Sequence, residues 1–251
     1  MVTGADLHPY RNGTRQGDVG YIVFGVPDLE RAMTFYRTVL GWSFSSGSYD
    51  QGRQVEDVAP KTGLAGGVAP GGLSICWRVD DIAGAVDRVR AAGGTAAEPV
   101  PQPHGPGAEC NDDQGTQFYL WQPTADQAAA ERDVGDDERP RNGHRHGDVS
   151  YLTLEVGDAA RLCAFYVAVL GWRFPRSDYD GDPESTMPMI GIWGGCDRAT
   201  GVAMYRVDDI AVAVARVRDA GGTATEPASK PYGLTSDCTD DQGIRFYLGQ
   251  D

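Results

Sequence analysis

The sequence feature that most restricts the possible folds of this chain is an internal duplication. The stretch NDDQGTQFYL begins at residue 111, and a near copy, TDDQGIRFYL, begins at residue 239. A period of this length is too long for a solenoid unit and fits a whole domain, so the sequence predicts two similar domains in tandem. Three further pairs of stretches match in the same order: RNGTRQGDVGY (11–21) with RNGHRHGDVSY (141–151), FYRTVLGW (35–42) with FYVAVLGW (165–172), and RVDDIAGAVDRVRAAGGTAAEP (78–99) with RVDDIAVAVARVRDAGGTATEP (206–227).

The duplication also predicts where the domains begin and end. With 251 residues, of which 41% are hydrophobic, each half is long enough to bury a core of its own. The stretch between the halves is charged and rich in alanine without apolar periodicity, which favours a linker or a short exposed helix. The predicted segments are an N-terminal tail (1–16), a first domain (17–122), a linker (123–146) and a second domain (147–251).

The overall charge and the cysteine content restrict the classes of binding partner and the cellular compartment that we expect. A net charge of −14 argues against nucleic acid and anionic membrane surfaces as partners, because the average field of the protein repels them. No apolar run approaches the ~20 residues of a membrane span, and the N-terminus has no apolar signal segment. The five cysteines have no CxxC spacing, which is typical of reduced thiols rather than a disulfide framework or a zinc site. We therefore expect a cytoplasmic protein with neither a nucleic-acid nor a membrane partner.

Each half contains two stretches with the apolar periodicity of amphipathic helices. In the first of them, apolar residues recur every three or four positions from Leu29 to Leu40. Asp28 precedes this stretch where an N-cap is expected, and Gly41 follows it as a left-handed terminator. The second half repeats the arrangement with Asp158 and Gly171, and the later helix of each half ends at a pair of glycines, Gly93-Gly94 and Gly221-Gly222.

The stretches around these helices alternate as strands do. In YIVFGV (21–26), every second residue from Ile22 is placed against a helix, which leaves Tyr21 on the opposite face of the sheet. The same alternation in the final strand of each half directs Tyr119 and Tyr247 away from the helices. The sequence therefore predicts a second, tyrosine-bearing face on each sheet.

The order of these signals resembles the vicinal oxygen chelate superfamily, which includes glyoxalase I, extradiol dioxygenases and bleomycin-resistance proteins. An Asp-capped helix ending FYxxVLGW, a strand with VDD, a helix ending AGG and a DDQG turn before the last strand occur twice, over about 17–122 and 147–250. The resemblance implies an α+β fold with two tandem glyoxalase-like domains, each made of two βαβββ modules that curve around a concave cavity. Because the superfamily contains isomerases, dioxygenases, metal-thiol transferases and non-catalytic drug binders, it implies no single activity.

Catalytic members of the superfamily are similar in holding one divalent ion with His and Glu side chains on the concave face. The corresponding strand positions here carry residues that are not usual ligands for such an ion. The four histidines lie in the tail, the linker and a Pro/Gly loop, so the sequence predicts no metal and no other cofactor. A less favoured alternative is a metal held by Glu155, Glu109 or Asp237. The positions carried over from the family are Tyr21, Ser74 and Tyr119 in the first domain and Tyr151, Val202 and Tyr247 in the second.

Tyrosines at these positions favour a site for a small, planar or aromatic molecule, because each offers an apolar ring and one hydroxyl. The matched stretches SYD (48–50) and DYD (178–180) add Tyr49 and Tyr179 to the candidates. The predicted ligand-contacting residues are Tyr21, Val23, Ser74, Cys76, Gln117, Tyr119 and Trp121 in the first domain, and Tyr151, Thr153, Glu155, Val202, Met204, Arg245 and Tyr247 in the second.

Three functions remain open from the sequence. The favoured hypothesis is sequestration of an antibiotic or metabolite, as in the bleomycin-resistance branch, by a pseudo-symmetric monomer. The second is an enzyme: a glyoxalase-like lyase, hydroxylase or dioxygenase with a metal, or a metal-independent isomerase or cyclase. In the metal-independent case Glu155 or Asp180 would be the general base and Tyr151 or Tyr247 the acid. The third is a scaffold that binds no ligand and whose tyrosines only fill the interior. The sequence also leaves open whether each cavity forms within one domain or between modules of the two domains.

Overall fold

The computed structural model describes residues 15–132, 143–175, 182–184 and 186–251. Both halves alternate short strands and helices in the predicted order. The elements of the first half are β1 (Val19–Val26), α1 (Leu29–Leu40), β2 (Phe44–Ser46), β3 (Gly52–Val55), β4 (Thr62–Gly66), β5 (Gly72–Arg78), α2 (Ile82–Ala91), β6 (Thr95–Ala96), β7 (Gly107–Asn111), β8 (Gln117–Trp121) and α3 (Ala125–Arg132). Those of the second half are β9 (Val149–Glu155), α4 (Ala159–Leu170), β10 (Met189–Trp193), β11 (Thr200–Arg206), α5 (Ile210–Asp219), β12 (Thr223–Ala224), β13 (Ala228–Lys230), β14 (Gly233–Thr239) and β15 (Arg245–Gln250).

Each repeat forms its own mixed sheet. The first sheet has the strand order β2-β3-β4-β1-β5-β8-β7-β6. The second has the order β10-β9-β11-β15-β14-β12, with β13 paired to β14. β5 and β8 lie before and after helix α2 in the chain and run parallel, and β11 and β15 do the same around α5. The hairpin strands β7 and β8 run antiparallel, as do β14 and β15. The predicted α+β class is confirmed.

The predicted helix ends are confirmed as well. The Asp28 carboxylate accepts a hydrogen bond from the Arg31 amide at 3.1 Å, and Asp158 caps α4 in the same way. Gly41 and Gly171 follow α1 and α4 with φ of 70° and 75°, a left-handed conformation that costs glycine little. These caps satisfy backbone groups that the first and last helical turns leave without partners.

The chain forms two compact units, and neither unit is a single repeat. Each unit combines the N-terminal module of one repeat with the C-terminal module of the other, which answers the packing question that the sequence left open. The predicted domain limits describe the sequence repeats and stay a prediction. Of the described residues, the first unit contains 15–21, 74–132, 154–175, 182–184 and 186–200, and the second contains 22–73, 143–153 and 201–251.

An aromatic cluster holds the two modules of each unit together. In the second unit α1 packs on α5, and the Tyr36 and Trp42 rings stack with their centroids 5.1 Å apart. In the first unit α2 packs on α4, and the centroids of Tyr166 and Trp172 lie 4.9 Å apart. Buried aromatic rings contribute a large apolar area in preferred tilted or edge-on contacts, so they stabilise the packing between modules. The buried clusters are Phe24, Phe35, Tyr36, Trp42, Tyr205 and Phe246 in the second unit, and Trp77, Phe118, Phe165, Tyr166 and Trp172 in the first.

The stretch between the repeats begins with the short helix α3, which was one of the two predicted alternatives. The rest of the predicted linker up to residue 142, and the tail up to residue 14, lie outside the described residues. Among the helices that the structure describes, none is both long and apolar enough to cross a membrane.

Candidate functional site on the tyrosine-bearing faces

The repeated DDQG stretch forms the tight turn before the last strand of each repeat. The Asp112 Oδ1 atom accepts hydrogen bonds from the amides of Gln114 at 2.9 Å and Thr116 at 2.8 Å. Gly115 has φ of 86°, and Gly243 in the second turn has φ of 88°, as the predicted turn glycines require. The turn therefore sets the register of the hairpin whose two strands it connects.

The other residues of the first turn hold the start of helix α4, which belongs to the other repeat. The Asp158 amide donates to Gln114 Oε1 at 2.9 Å, and Gln114 Nε2 donates to the Asp158 carbonyl at 2.9 Å. Arg161 Nε donates to the Asp113 carboxylate at 3.0 Å. Most of this motif is thus engaged in joining two modules and is not available to a ligand.

The second turn holds the start of α1 in the same way. Gln242 exchanges hydrogen bonds with the backbone of Asp28 at 2.7 and 2.9 Å, and Arg31 Nε donates to Asp241 at 3.0 Å. The repetition of the motif in the sequence thus reflects a contact that the fold makes twice.

The hairpin register places a carboxylate opposite each of the two strand tyrosines. In the β7–β8 hairpin Glu109 pairs with Tyr119, and in the β14–β15 hairpin Asp237 pairs with Tyr247. Side chains directly opposite each other on antiparallel strands have Cβ atoms about 4.5–5.5 Å apart. Each tyrosine thus has an acid directly opposite it on the same face of the sheet.

A third side chain completes a row on each face. On the parallel strand at the other side of β8, Cys76 is the register partner of Tyr119. In the second repeat Met204 is the register partner of Tyr247. We call Cys76, Tyr119 and Glu109 the first tyrosine row, and Met204, Tyr247 and Asp237 the second tyrosine row.

Burial alternates along these strands as the sequence predicts. Phe118 and Leu120 are buried on the helix side, whereas Tyr119 between them is half-buried on the other face. Phe246 and Leu248 are buried in the same way on either side of Tyr247, which is itself only half-buried. Half-buried aromatic rings in matched places are a surface that a small molecule can cover.

The structure distributes the predicted ligand-contacting residues between the two units. The first unit contains Tyr21, Ser74, Cys76, Gln117, Tyr119 and Trp121, and the second contains Tyr151, Thr153, Val202, Met204, Arg245 and Tyr247. Val23 also lies in the second unit, half-buried on β1, and Val202 is buried.

Among the remaining predicted residues, the structure describes Glu155 and Tyr49, and neither belongs to a tyrosine row. Glu155, at the end of β9, is half-buried and belongs to the first unit, whereas Tyr247 belongs to the second. Tyr49 lies in the turn between β2 and β3, where 54% of it is exposed. Tyr179 and Asp180 lie outside the described residues.

One charged side chain distinguishes the two faces next to the tyrosines. The Nη2 atom of Arg245 lies 3.4 Å from the hydroxyl of Tyr247, two residues along β15. The corresponding residue of the first repeat is the neutral Gln117, which is exposed and pairs with Asn111. The second face therefore carries a guanidinium group where the first carries an amide.

Cys76, Cys110 and Cys238 are poor candidates for a nucleophile. Burial raises the pKa of the Cys76 thiol to about 12, so this thiol is protonated at neutral pH. Burial also raises the pKa of Cys110 to about 12 and that of Cys238 to about 11. Both are buried strand residues, as predicted, and all five cysteines are free.

The aspartate of each turn is also a buried titratable group. The Tyr36 hydroxyl donates to Asp240 Oδ2 at 3.1 Å, inside the aromatic cluster of the second unit. Burial raises the pKa of Asp240 above its ordinary value, although the amides of Ile244 and Gln242 act in the opposite direction. Burial likewise raises the pKa of Asp112. Since these carboxyls are packed in the interior, they belong to the fold and not to the tyrosine-bearing faces.

The residues present do not fit the divalent ion that the fold family implies. A bound ion of this kind takes three or more nitrogen, oxygen or thiolate donors that converge. Each tyrosine row contains a single carboxylate, and the family's ligand positions carry tyrosine, serine and valine. Within the described ranges, no three His, Cys, Asp or Glu side chains are grouped so as to hold a metal.

Comparison with known proteins confirms the resemblance to the vicinal oxygen chelate proteins. Residues 18–120, which lie in the first repeat, match the model of the Glyoxalase/Bleomycin resistance protein/Dioxygenase superfamily. No curated protein sequence matches the chain.

Solved structures extend the likeness to the whole chain. The 2,3-dioxygenase LapB from Pseudomonas sp. KL28 is 16% identical with a TM-score of 0.67, and the match covers 94% of each chain. The Mn(II)-bound glyoxalase from Novosphingobium aromaticivorans is 18% identical with a TM-score of 0.65, over 94% of this chain and 82% of that one. The 2,2',3-trihydroxybiphenyl 1,2-dioxygenase from Sphingomonas wittichii strain RW1 is 15% identical with a TM-score of 0.64, over 94% and 91%. At these identities the likeness shows the fold, which is that of tandem glyoxalase-like domains.

The hairpin register adds Glu109 and Asp237 to the candidate site residues, because each lies opposite a strand tyrosine. The sequence alone suggests only the less favoured role of metal ligands for these two residues. The signal was present, since pairing outward from the DDQG turn matches Asn111 with Gln117 and therefore Glu109 with Tyr119.

Proposed function

We propose that each repeat binds a small, planar or aromatic molecule on the tyrosine-bearing face of its sheet, without a metal ion or another cofactor. The observation that carries the proposal is the pair of tyrosine rows, in which a half-buried phenol lies between an uncharged sulfur-containing side chain and a carboxylate. An aromatic ring binds planar apolar surface, and the hydroxyl and carboxylate give the ligand polar partners.

We further propose that the role of this binding is sequestration of an antibiotic or metabolite. The printed names of the structural neighbours are those of dioxygenases and a glyoxalase, which supports an enzyme of the same fold as the alternative. Each tyrosine row supplies only one carboxylate, which argues against a metal-dependent reaction of the dioxygenase or glyoxalase kind in this chain. A metal-independent isomerase or cyclase is the second candidate, favoured by the direct pairing of Glu109, as the base, with Tyr119, as the acid.

The proposal includes a reducing compartment, the cytoplasm, and a monomeric state. Five free cysteines are typical of a reducing environment. Each compact unit already contains modules from both repeats, so one chain supplies both partners of each packed pair.

The test is calorimetric and thermal-shift titration with planar aromatic probes, with and without EDTA. We expect wild-type protein to be stabilised by mass action in both conditions. Tyr119→Ala and Tyr247→Ala should each remove one binding site, and the double variant should remove both. Tyr232→Ala is the matched control, because this tyrosine is 66% exposed and lies in neither row.

Two results would contradict the proposal. Loss of binding in EDTA would show that a metal is required, and unchanged binding in the double variant would place the ligand elsewhere. Chromatographic analysis of bound probes separates the candidate roles, because recovery of chemically altered probe would favour the enzyme.

A further inference from the structure

The two tyrosine-bearing faces differ in shape at the position two residues after each strand tyrosine. Trp121 follows Tyr119 on β8, and Gly249 follows Tyr247 on β15. Because residues two apart on a strand share a face, Trp121 lies on the face where we propose that a ligand binds. The Trp121 side chain is half-buried, so part of its indole ring is within reach of a ligand, whereas Gly249 is buried and has no side chain.

Small neighbours make room for Trp121 on the first face and hold its ring in place. A Cβ atom on Gly20 would lie 2.7 Å from Trp121 Cε3, so any larger residue at position 20 would displace the ring. Directly opposite Trp121 on β7 is a second glycine, Gly107. Trp121 Nε1 donates a hydrogen bond to the His104 carbonyl at 2.7 Å. The indole ring is therefore a flat surface in a fixed position.

Larger neighbours take up the space around Gly249 on the second face. Ser150 stands in the second repeat where the first has Gly20, and Thr235 is directly opposite Gly249 on β14. A Cβ atom on Gly249 would lie 2.8 Å from the sulfur of Met204, which therefore covers this glycine. A methionine side chain rotates about three bonds and adapts to irregular apolar shapes. The second face thus has a deformable side chain where the first has a rigid ring.

We infer that the two faces differ in their selection for ligand shape: the first favours a flat, fused ring system that stacks on Trp121, and the second accepts flat and rounded apolar ligands alike. This inference rests on the proposed function and names the class of ligand for each face. Trp121 is the residue that determines the specificity, and the glycines beside it are what allow it to be there.

The size of the effect follows from the energy of aromatic contacts. A stacked or edge-on pair of rings adds a factor of about two to ten in affinity beyond the apolar area that it covers. A rounded hydrocarbon cage of the same size covers apolar area but cannot stack on the indole ring. The ratio of the affinities for a flat and a rounded ligand therefore measures the contribution of Trp121.

The test compares two neutral alcohols with the same number of carbon atoms, the flat 2-naphthalenemethanol and the rounded 1-adamantanemethanol. Protein labelled with 5-fluorotryptophan and with methyl-labelled methionine reports each face separately, through the fluorine resonance of Trp121 and the methyl resonance of Met204. The two resonances are assigned by their absence from Trp121→Phe and Met204→Leu protein. Titration of each resonance gives the ratio of the two affinities on its face, with both strand tyrosines in place.

Two substitutions of Trp121 show whether the ring is the cause of the preference. Trp121→Phe keeps a flat ring, and Trp121→Leu replaces it with a rounded apolar group. Both proteins are titrated calorimetrically beside wild type, after thermal unfolding has shown that they are folded. The methyl resonance of Met204 is followed in both as the internal control.

We expect the flat-to-rounded affinity ratio to be about two to ten times higher at Trp121 than at Met204. Trp121→Leu should remove this difference without changing the titration of the Met204 resonance, and Trp121→Phe should retain most of it. If both faces bind with equal ratios, or if Trp121→Leu binds the flat probe as tightly as wild type, the inference is overturned and the proposed function stands. If neither resonance moves with either probe, the proposed function fails and the inference with it.

Discussion

The two compact units have the same architecture and differ in the polar groups of their interiors. Each has a pair of packed helices, an aromatic cluster and a DDQG turn that holds the start of a helix from the other repeat. In the second unit the buried Tyr36 hydroxyl donates to Asp240. In the first unit the buried Asp112 Oδ2 has no hydrogen-bond partner among the described residues, and Trp77 occupies the strand position that Tyr205 occupies in the second. Apolar packing was thus retained after the duplication, while the buried polar contacts diverged.

The largest effect is expected where the two units are alike. Phe118→Ala and Phe246→Ala each remove a buried ring at equivalent strand positions, 2% and 1% exposed. Each should lower the free energy of unfolding by about 3–5 kcal/mol, as measured by urea denaturation. Val212→Ala, at an exposed position on α5, is the control and should change it by less than about 0.5 kcal/mol. A loss below 1 kcal/mol for either phenylalanine would show that its unit is not held together by the cluster.

The second prediction concerns the polar contact in which the units differ. Tyr36→Phe leaves the buried Asp240 Oδ2 without its donor, which should cost about 1–3 kcal/mol. Tyr166→Phe in the first unit should cost less, because Asp112 Oδ2 accepts no hydrogen bond that the change could remove. Equal losses in the two variants, measured by the same denaturation, would contradict the difference between the units.

The third prediction concerns the turns, which are alike. Gln114→Ala and Gln242→Ala each remove two exposed hydrogen bonds to the backbone at a helix start. Each should cost about 1 kcal/mol, and the double variant about twice as much, because the sites are independent. A double variant no less stable than the single ones would show that the two turns are energetically coupled.

The smallest effect is expected as a change in pH dependence. Because burial raises the pKa of Asp240 in the folded protein, the folded state keeps this proton to a higher pH than the unfolded state does. The stability that this group contributes is therefore greatest below about pH 4 and is lost as the pH rises through the raised pKa. Asp240→Asn cannot titrate, so unfolding measured from pH 4 to 7 should show a shallower fall than in wild type. Asp87→Asn, at an exposed position on α2, is the control and should show the same pH dependence of unfolding as wild type. If stability falls as steeply with pH in Asp240→Asn as in wild type, burial of Asp240 is not the cause of the fall.

The local structure could be predicted from the sequence because it depends on neighbouring residues. Asp28 and Gly41 determine the ends of α1 through hydrogen bonds and a left-handed φ within a few residues. The alternation around Tyr119 likewise follows from the period of two along a strand. These signals are short-range and occur twice in the chain.

The pairing of modules could not be predicted in the same way. Arg31 finds Asp241 and Gln114 finds Asp158 across long separations in the chain, and nothing in the local sequence of either partner specifies which repeat the other comes from. Within the site, the alternation predicted the face of Tyr247, but the acid opposite it required the hairpin register. The acids opposite the strand tyrosines thus depend on pairing that only the folded chain shows.

The exchange of modules also determines when each unit can fold during synthesis on the ribosome. Residues 22–73 are made well before residues 201–251, with which they form one compact unit. At a translation rate of about 5–20 residues per second, the early segment waits on the order of ten seconds for its partner. The first unit needs no residue beyond 200 and can be completed sooner. Until α5 has been made, the nascent chain therefore lacks the helix on which the apolar side of α1 packs.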